Sequence, residues 1–414
     1  MSGGAHLLIE QAPGQTRALH LVGDRVIEAW HDFDHDPDRT GSVHAVRVDR
    51  VFAAQNRAIA TLAGGEAVSI RTTRHDSLTP GAIAIITIVA ARRETKPWQA
   101  VTGARLAGQN LVLLPGETGV ARSGQMTDPP SEAALAALDD CLAATPGFGV
   151  ILRRHAGRAE DNDLAGQAGA LMTAWQKGQT GLAGTGAPGC LFDPGGVVGR
   201  VALETTHLQA TAIGPDGAED FASRWDEMIL DATRSGVPLA GGGVMWIEPT
   251  RALTAIDLDS GSGDLGALFT AAPDTIANHL RLRQVGGLIA VDLPRGSAAM
   301  MRRFDAALEA ALARDPRHPD RLGRTRGGVI EIRIPHGRPG PGDWAADSVA
   351  VGALSALRSV SLRPQLAVPR IECPPLMADW LRGPGAAAMA ALDRPVELVV
   401  SSETATATLI ETRV

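Results

Sequence analysis

Tyrosine is absent from this 414-residue chain, and phenylalanine and tryptophan together bring the aromatic content to only 3%. A chain this poor in rings has few flat surfaces on which bases could stack. Lysine is nearly missing too: Lys96 and Lys177 are the only two, so arginine carries almost all the positive charge. The formal net charge of −7 argues against a polyanion-binding coat over the whole surface. Cys141, Cys190 and Cys373 are scattered and form neither a CxxC zinc pair nor a disulfide framework, so a reducing cytoplasm is the expected setting. No apolar run reaches the roughly 18 residues of a membrane span, and none is expected. The start, MSGGAHLLIEQ, lacks the basic-then-apolar order of a signal peptide.

What remains is a soluble globular composition, 44% hydrophobic and 21% charged, with length for two to four domains. Breaker-rich stretches divide it. HLLIE, RALHLV and RVIEAW read as strands joined at Pro13-Gly14 and Gly23-Asp24. SVHAVRVDRV, RAIATLA, AVSIRTT and AIAIITIVAA are short strands spaced closely enough for a small barrel of the OB type. Strands at 110–115 and 149–152 then mix with helices near 130–144 and 161–176. More strands are expected at 197–213 and a helix at 219–235, with Pro335 to Gly342 as a linker and a mixed tail over 346–414.

Two apolar runs each end in an aspartate: Leu253-Thr-Ala-Ile-Asp257 and Gly287-Leu-Ile-Ala-Val-Asp292. Each reads as a buried strand ending at the rim of a sheet. Between them, a helix is expected from about Pro273 to Arg283, with Pro273 in its first turn and Ile276 and Leu280 on one face. If the two strands are parallel neighbours, both carboxylates emerge at one edge, where they suit a hard, oxygen-loving cation such as Mg²⁺. Arginines cluster at 281/283, 302/303 and 317–333, so a basic groove beside an acidic metal site is one reading, and an arginine-rich surface of no special role is the other. Gly261-Ser-Gly-Asp-Leu-Gly266 mimics a dinucleotide-binding fingerprint, but a helix beginning only near Pro273 would leave its N-terminus too far from a pyrophosphate.

Several ordered blocks together resemble the ribonuclease E/G family of bacterial endoribonucleases. Glu248 to Asp257 and Leu280 to Asp292 resemble the family's runs TAID, RQLRLR and GGLIVID. Leu106 to Pro115 is similar to LPGRYLVLMP, Gly147 to Arg153 to GMGVIVRT, and Gly328 to Arg333 to GLLEMTR, while Pro37-Asp-Arg-Thr-Gly-Ser-Val resembles the entry into an S1 domain. The resemblance implies an α+β multidomain fold. Residues 1–36 and 194–238 would form an RNase H-like scaffold, 37–103 an inserted S1 barrel and 104–193 a 5′-sensor region. Residues 239–336 would form a DNase I-like catalytic subdomain, 337–345 a linker and 346–414 a small α/β domain. It also implies Mg²⁺-dependent cleavage of single-stranded RNA to 5′-phosphate and 3′-hydroxyl ends, in RNA processing or decay. Asp257 and Asp292 would be the catalytic metal ligands, with Asp259 tuning the site. Arg153 and Arg154 would read the 5′ end, and Lys96, Arg281 and Arg283 would contact the RNA.

The chain departs from the family at informative places. Asp259 replaces an asparagine, Arg154 a threonine, and Arg295 a position that is often acidic. Phe52 is the one aromatic in the expected run of barrel strands over 41–92, so the ring platform on which such barrels usually stack bases is lacking. The cysteine pair that links family subunits through zinc is missing, so the zinc-linked tetramer is not expected and a homodimer is left open. These departures motivate an alternative: a catalytically weakened or inactive RNA-binding paralogue of the same fold.

Overall fold

Three apolar runs separated by tight turns open the chain. In the computed structural model, which describes residues 4–93, 96–124, 126–158, 163–180, 187–205 and 208–410, they pair as an antiparallel meander. Its strands are β1 (Ala5–Ala12), β2 (Gln15–Val22) and β3 (Arg25–Phe33). The closely spaced strands that follow are β4 (Val43–Phe52), β5 (Arg57–Thr61), β6 (Ala67–Arg71), β7 (Ile83–Ala90) and β8 (Trp98–Thr102). They close in the order β4-β5-β6-β8-β7, with β7 returning to β4. Closure removes the unpaired edges that an open sheet would leave. Trp98 fills the barrel core with Val48, Ile70 and Ile88, so it is no stacking surface.

The next region runs through β9 (Leu106–Ala107), β10 (Leu111–Pro115), β11 (Gly119–Arg122), α1 (Glu132–Ala144), β12 (Phe148–Leu152), α2 (Asp163–Gly178) and β13 (Gly189–Phe192). Its sheet has the order β11-β12-β10-β9. β13 pairs with β4, so Val43 of the barrel shares one core with Leu111, Leu138 and Leu171.

The strands expected over 197–213 are corrected. Residues Gly196–Glu204 form a helix, α3, and only Ala210–Ala212 are extended, as β14 beside β1. The β-branched content suggested a strand, but Val197 and Val201 lie four residues apart and pack together against Leu7 and Trp30. The helix α4 (Ala218–Thr233) covers the first sheet with Phe221 and Trp225.

A six-stranded sheet follows, built from β15 (Gly236–Pro238), β16 (Val244–Pro249), β17 (Thr254–Asp259), α5 (Leu265–Leu282), β18 (Gly287–Asp292), α6 (Ala298–Leu312), β19 (Asp320–Arg324) and β20 (Ile330–Ile334). The strand order is β15-β16-β17-β18-β20-β19. One face packs Ile256, Ile289 and Val291 against Leu268 and Ile276 of α5 and Phe304 of α6. The start of α5 is a second correction. It begins at Leu265, not near Pro273, because Asp264 caps it by accepting from the backbone N–H groups of Gly266 and Ala267. Pro273 sits buried inside the helix. The glycine loop therefore does lead straight into a helix, but the Asp264 carboxylate already takes its first N–H groups and would repel a pyrophosphate.

The expected linker is packed rather than free. Arg338 is 6% exposed, lies over the Trp30 ring and donates to the Ala29 carbonyl and the Glu28 carboxylate. The tail comprises α7 (Pro341–Ala346), α8 (Ser348–Ser361), β21 (Arg370–Cys373), α9 (Pro375–Arg382), α10 (Ala386–Ala390), β22 (Glu397–Val400) and β23 (Thr408–Ile410). Among the described residues, no helix is long and apolar enough to cross a membrane.

Candidate active site

The alternation of β17 decides which of its side chains reach solvent. Thr254, Ile256 and Leu258 point into the helix-covered core, while Asp257 and Asp259 are exposed on the other face. β18 runs parallel to β17 with Asp257 directly beside Asp292, as the two apolar runs suggested. On its other side β17 pairs with β16, which sets Trp246 opposite Asp257. Trp246 and Glu248 of β16 share the open face, where Met245 and Ile247 point inward. A four-residue turn fixes this register, with Thr250 bonded through backbone N–H and side-chain hydroxyl to the Leu253 carbonyl. At the strand ends, glycine permits the crossing of two loops: a Cβ on Gly263 would lie 2.3 Å from the Gly241 carbonyl oxygen.

The result is an open face with four carboxylates: Asp257, Asp259, Asp292 and Glu248. The Asp257 carboxyl is pushed above its ordinary range, first by partial burial and then by the charges of Asp292, Asp259 and Glu248. Asp259 accepts from the Gly261 N–H at 2.8 Å, and Asp292 from the Leu293 N–H at 3.0 Å. Mutual repulsion in adjacent register fits a divalent cation, whose charge would relieve it. Among the described residues, no three or more potential ligands converge into a ready-made metal cage.

The other expected site residues are distributed differently. Arg153 is half-buried and donates to the Gly108 carbonyl at 2.7 Å; burial lowers its pKa to about 10, which leaves it charged at neutral pH. Arg154 donates to Asp320 at 3.1 Å, tying its loop to β19 of the six-stranded sheet. Around them, His155 stacks on His318 at 5.6 Å and bonds Asp128 at 2.9 Å, and Arg158 also donates to Asp128. Lys96 is exposed and pairs through its backbone with Arg93, which bonds His336; that ring sits over Gly286 and Gly287. The barrel's exit loop thus meets the start of β18, whereas Asp292 lies at its end, about 17 Å along at 3.3 Å per residue.

The structure does not bring Arg281 and Arg283 to the acidic rim. The helix α5 runs away from the acidic rim, so its last turn lies about 25 Å from its cap. Arg281 donates to Glu28 at 2.7 Å, and Arg283 donates to the carbonyls of Asp231 and Arg234. Clustering in sequence suggested a groove, but helix direction sends both side chains to the first sheet and α4. Conversely, Trp246 and Glu248 were missed. Their signal was available: the alternation of Val244-Met-Trp-Ile-Glu248 and a short turn place both beside Asp257.

Residues 222–333 match the model of the Ribonuclease E/G family. Over 342 residues the chain is 24% identical to the Ribonuclease E of Nostoc sp., covering 72% of this chain and 47% of that protein. It is 25% identical over 272 residues to the Ribonuclease E of Synechocystis sp., covering 55% of this chain and 40% of that one. A shorter stretch of 125 residues is 32% identical to the Ribonuclease E/G-like protein, chloroplastic, of Arabidopsis thaliana, covering 28% of this chain and 12% of that protein. The chain thus spans less than half the length of each of these relatives. The matched residues 222–333 contain both Asp257 and Asp292.

Proposed function

We propose that the chain is a Mg²⁺-dependent endoribonuclease of the ribonuclease E/G family, a reading supported by the family match over residues 222–333 and by the similarity to Ribonuclease E proteins. It cuts single-stranded RNA at the open face of the six-stranded sheet and leaves 5′-phosphate and 3′-hydroxyl ends. The observation that carries this reading is the side-by-side register of Asp257 and Asp292. These two carboxylates would hold Mg²⁺, and the bound ion would polarise the scissile phosphate, lower the pKa of a water and offset the developing negative charge.

The chain's own residues prepare the site. Asp292 and Asp259 are oriented by backbone N–H groups, so neither needs a side-chain cation to fix it. Because the Asp257 pKa is raised, its ionisation, and hence cation binding, is lost at higher pH than for an ordinary aspartate. Asp259 adds negative charge beside the position a phosphate would take, which makes the site more dependent on a cation. Arg153 and Arg154 read a 5′-terminal phosphate, for which a planar guanidinium supplies paired donors. The Gly108 carbonyl occupies one donor of Arg153 and leaves the others for that phosphate. Lys96, on the barrel's exit loop, contacts the RNA backbone. The first sheet with α3 and α4 serves as an RNase H-like scaffold, the five-stranded barrel as an S1 domain, and the six-stranded sheet as a DNase I-like subdomain.

A second reading rests on Asp259 alone: an extra carboxylate repelling the scissile phosphate would leave an RNA-binding protein that does not cut. Incubation of the full chain with a 5′-monophosphorylated, A/U-rich single-stranded RNA, with Mg²⁺ or with chelator, separates the two. Internal cuts that need Mg²⁺ and yield downstream fragments with 5′-phosphates are expected. Tight RNA binding without any internal cut would replace the nuclease with the binding protein.

A further inference from the structure

We propose that Trp246 is a stacking platform for the nucleobase that flanks the scissile phosphate. The inference rests on the reading of Asp257 and Asp292 as the cutting site. Of the seven tryptophans, Trp246 is the exposed one, at 41%; the other six are buried or half-buried. Its exposure is not a consequence of packing failure. The apolar core of this sheet lies on the opposite face, and Trp246 takes no part in it.

Two neighbours define what the ring can do. On one side, Trp246 is the register partner of Asp257, which in turn sits beside Asp292. The three form a row across β16, β17 and β18 with steps of about 5 Å. On the other side, its partner is Gly236 of β15. A Cβ there would lie 3.0 Å from Cζ3 and 3.2 Å from Cη2 of the indole. The six-membered ring therefore rests on bare backbone that only glycine leaves uncovered, and its orientation is set before any ligand arrives.

An indole braced in this way, next to carboxylates, cannot attract an anion by charge. It presents a π face, and base–aromatic stacking is worth enough to hold one nucleotide while tolerating any base. An RNA strand with its scissile phosphate over Asp257 and Asp292 would place an adjacent base within reach of the ring. The barrel supplies little of this kind, since Trp98 is buried and Phe52 is half-buried against Arg50. The open face thus carries its own grip on the strand.

The test uses the full chain with Trp246→Ala, Trp246→Leu and Trp246→Phe, and a substrate series with one abasic site moved along the RNA. Loss of the ring in the Ala and Leu forms is expected to lower kcat/KM about tenfold, while Phe retains most of it. The deficit should vanish for the RNA whose abasic site lies next to the cut and persist for abasic sites elsewhere. Single-stranded RNA should quench tryptophan fluorescence in the parent chain, and the Leu form should lose that quenching. Gly236→Ala, which keeps the ring but crowds its cradle, should act in the same direction with a smaller factor. Ala and Leu forms that cut like the parent, or a deficit equal at every abasic position, would overturn the platform while leaving the nuclease intact. RNA-dependent quenching lost in the Leu form, in a chain that cuts no RNA, would keep the platform and overturn the nuclease.

Discussion

Two sets of carboxylates in this chain have opposite surroundings. In the first sheet, Glu28 is buried, and although burial alone would raise its pKa, Arg281 and Arg338 bring it down to about 2. Glu10 is similar, bonded by Arg17 and Arg358. On the open face of the six-stranded sheet, Asp257 is instead pushed up by partial burial and by three other carboxylates. Charge that a fold needs for its own cohesion comes with a counter-charge already in place. Charge set side by side without one is left unbalanced by the fold, which is the basis for proposing a cation at these two neighbouring carboxylates.

This contrast can be broken most sharply by neutralising each kind. Asp257→Asn and Asp292→Asn should each reduce RNA cleavage by at least about a hundredfold, with RNA affinity nearly unchanged, measured on end-labelled substrate. Neither should cost stability. A carboxyl whose folded pKa is raised loses stability as pH rises from its ordinary pKa through the raised one, so at neutral pH Asp257→Asn should melt at or slightly above the parent. Glu28→Gln should do the reverse. Removing a buried charge that faces two arginines costs roughly 3–5 kcal/mol, read as an earlier denaturant transition of the first sheet.

Smaller changes sharpen the comparison. Asp259→Asn removes one of the charges that raise the Asp257 pKa, so ionised Asp257 becomes easier to form. The acid limb of the pH–cleavage profile should move to lower pH, and a limb that stays in place would mean Asp259 does not act through Asp257. Arg154→Ala breaks a part-exposed pair with Asp320, worth no more than about 1 kcal/mol of stability. Its effect should appear instead as a weaker preference for 5′-monophosphorylated over 5′-hydroxyl RNA.

The acidic rim was legible in the sequence because strand periodicity and strand ends are local signals. An apolar, β-branched run closed by aspartate needs little tertiary context, and two such runs around a helix point to a parallel pair. What was not legible depended on direction or on competing local signals. Arg281 and Arg283 lie near Asp292 in sequence, but α5 carries them to the far end of the sheet. α3 was read as extended because its valines outweighed a helical spacing of only two residues, Val197 and Val201. Pro273 suggested a helix start, while the capping carboxylate of Asp264 set the true one. Trp246 was visible as a residue, but its meaning required the register of β16 on β17.

The most direct test of the account is a calorimetric titration of the chain with Mg²⁺, beside Asp257→Asn, Asp292→Asn and Glu28→Gln. Binding in the parent that is lost in both aspartate variants, and retained in folded Glu28→Gln, is the predicted result. Aspartate variants that bind Mg²⁺ as the parent does would contradict the central claim that these two side-by-side carboxylates form the metal site.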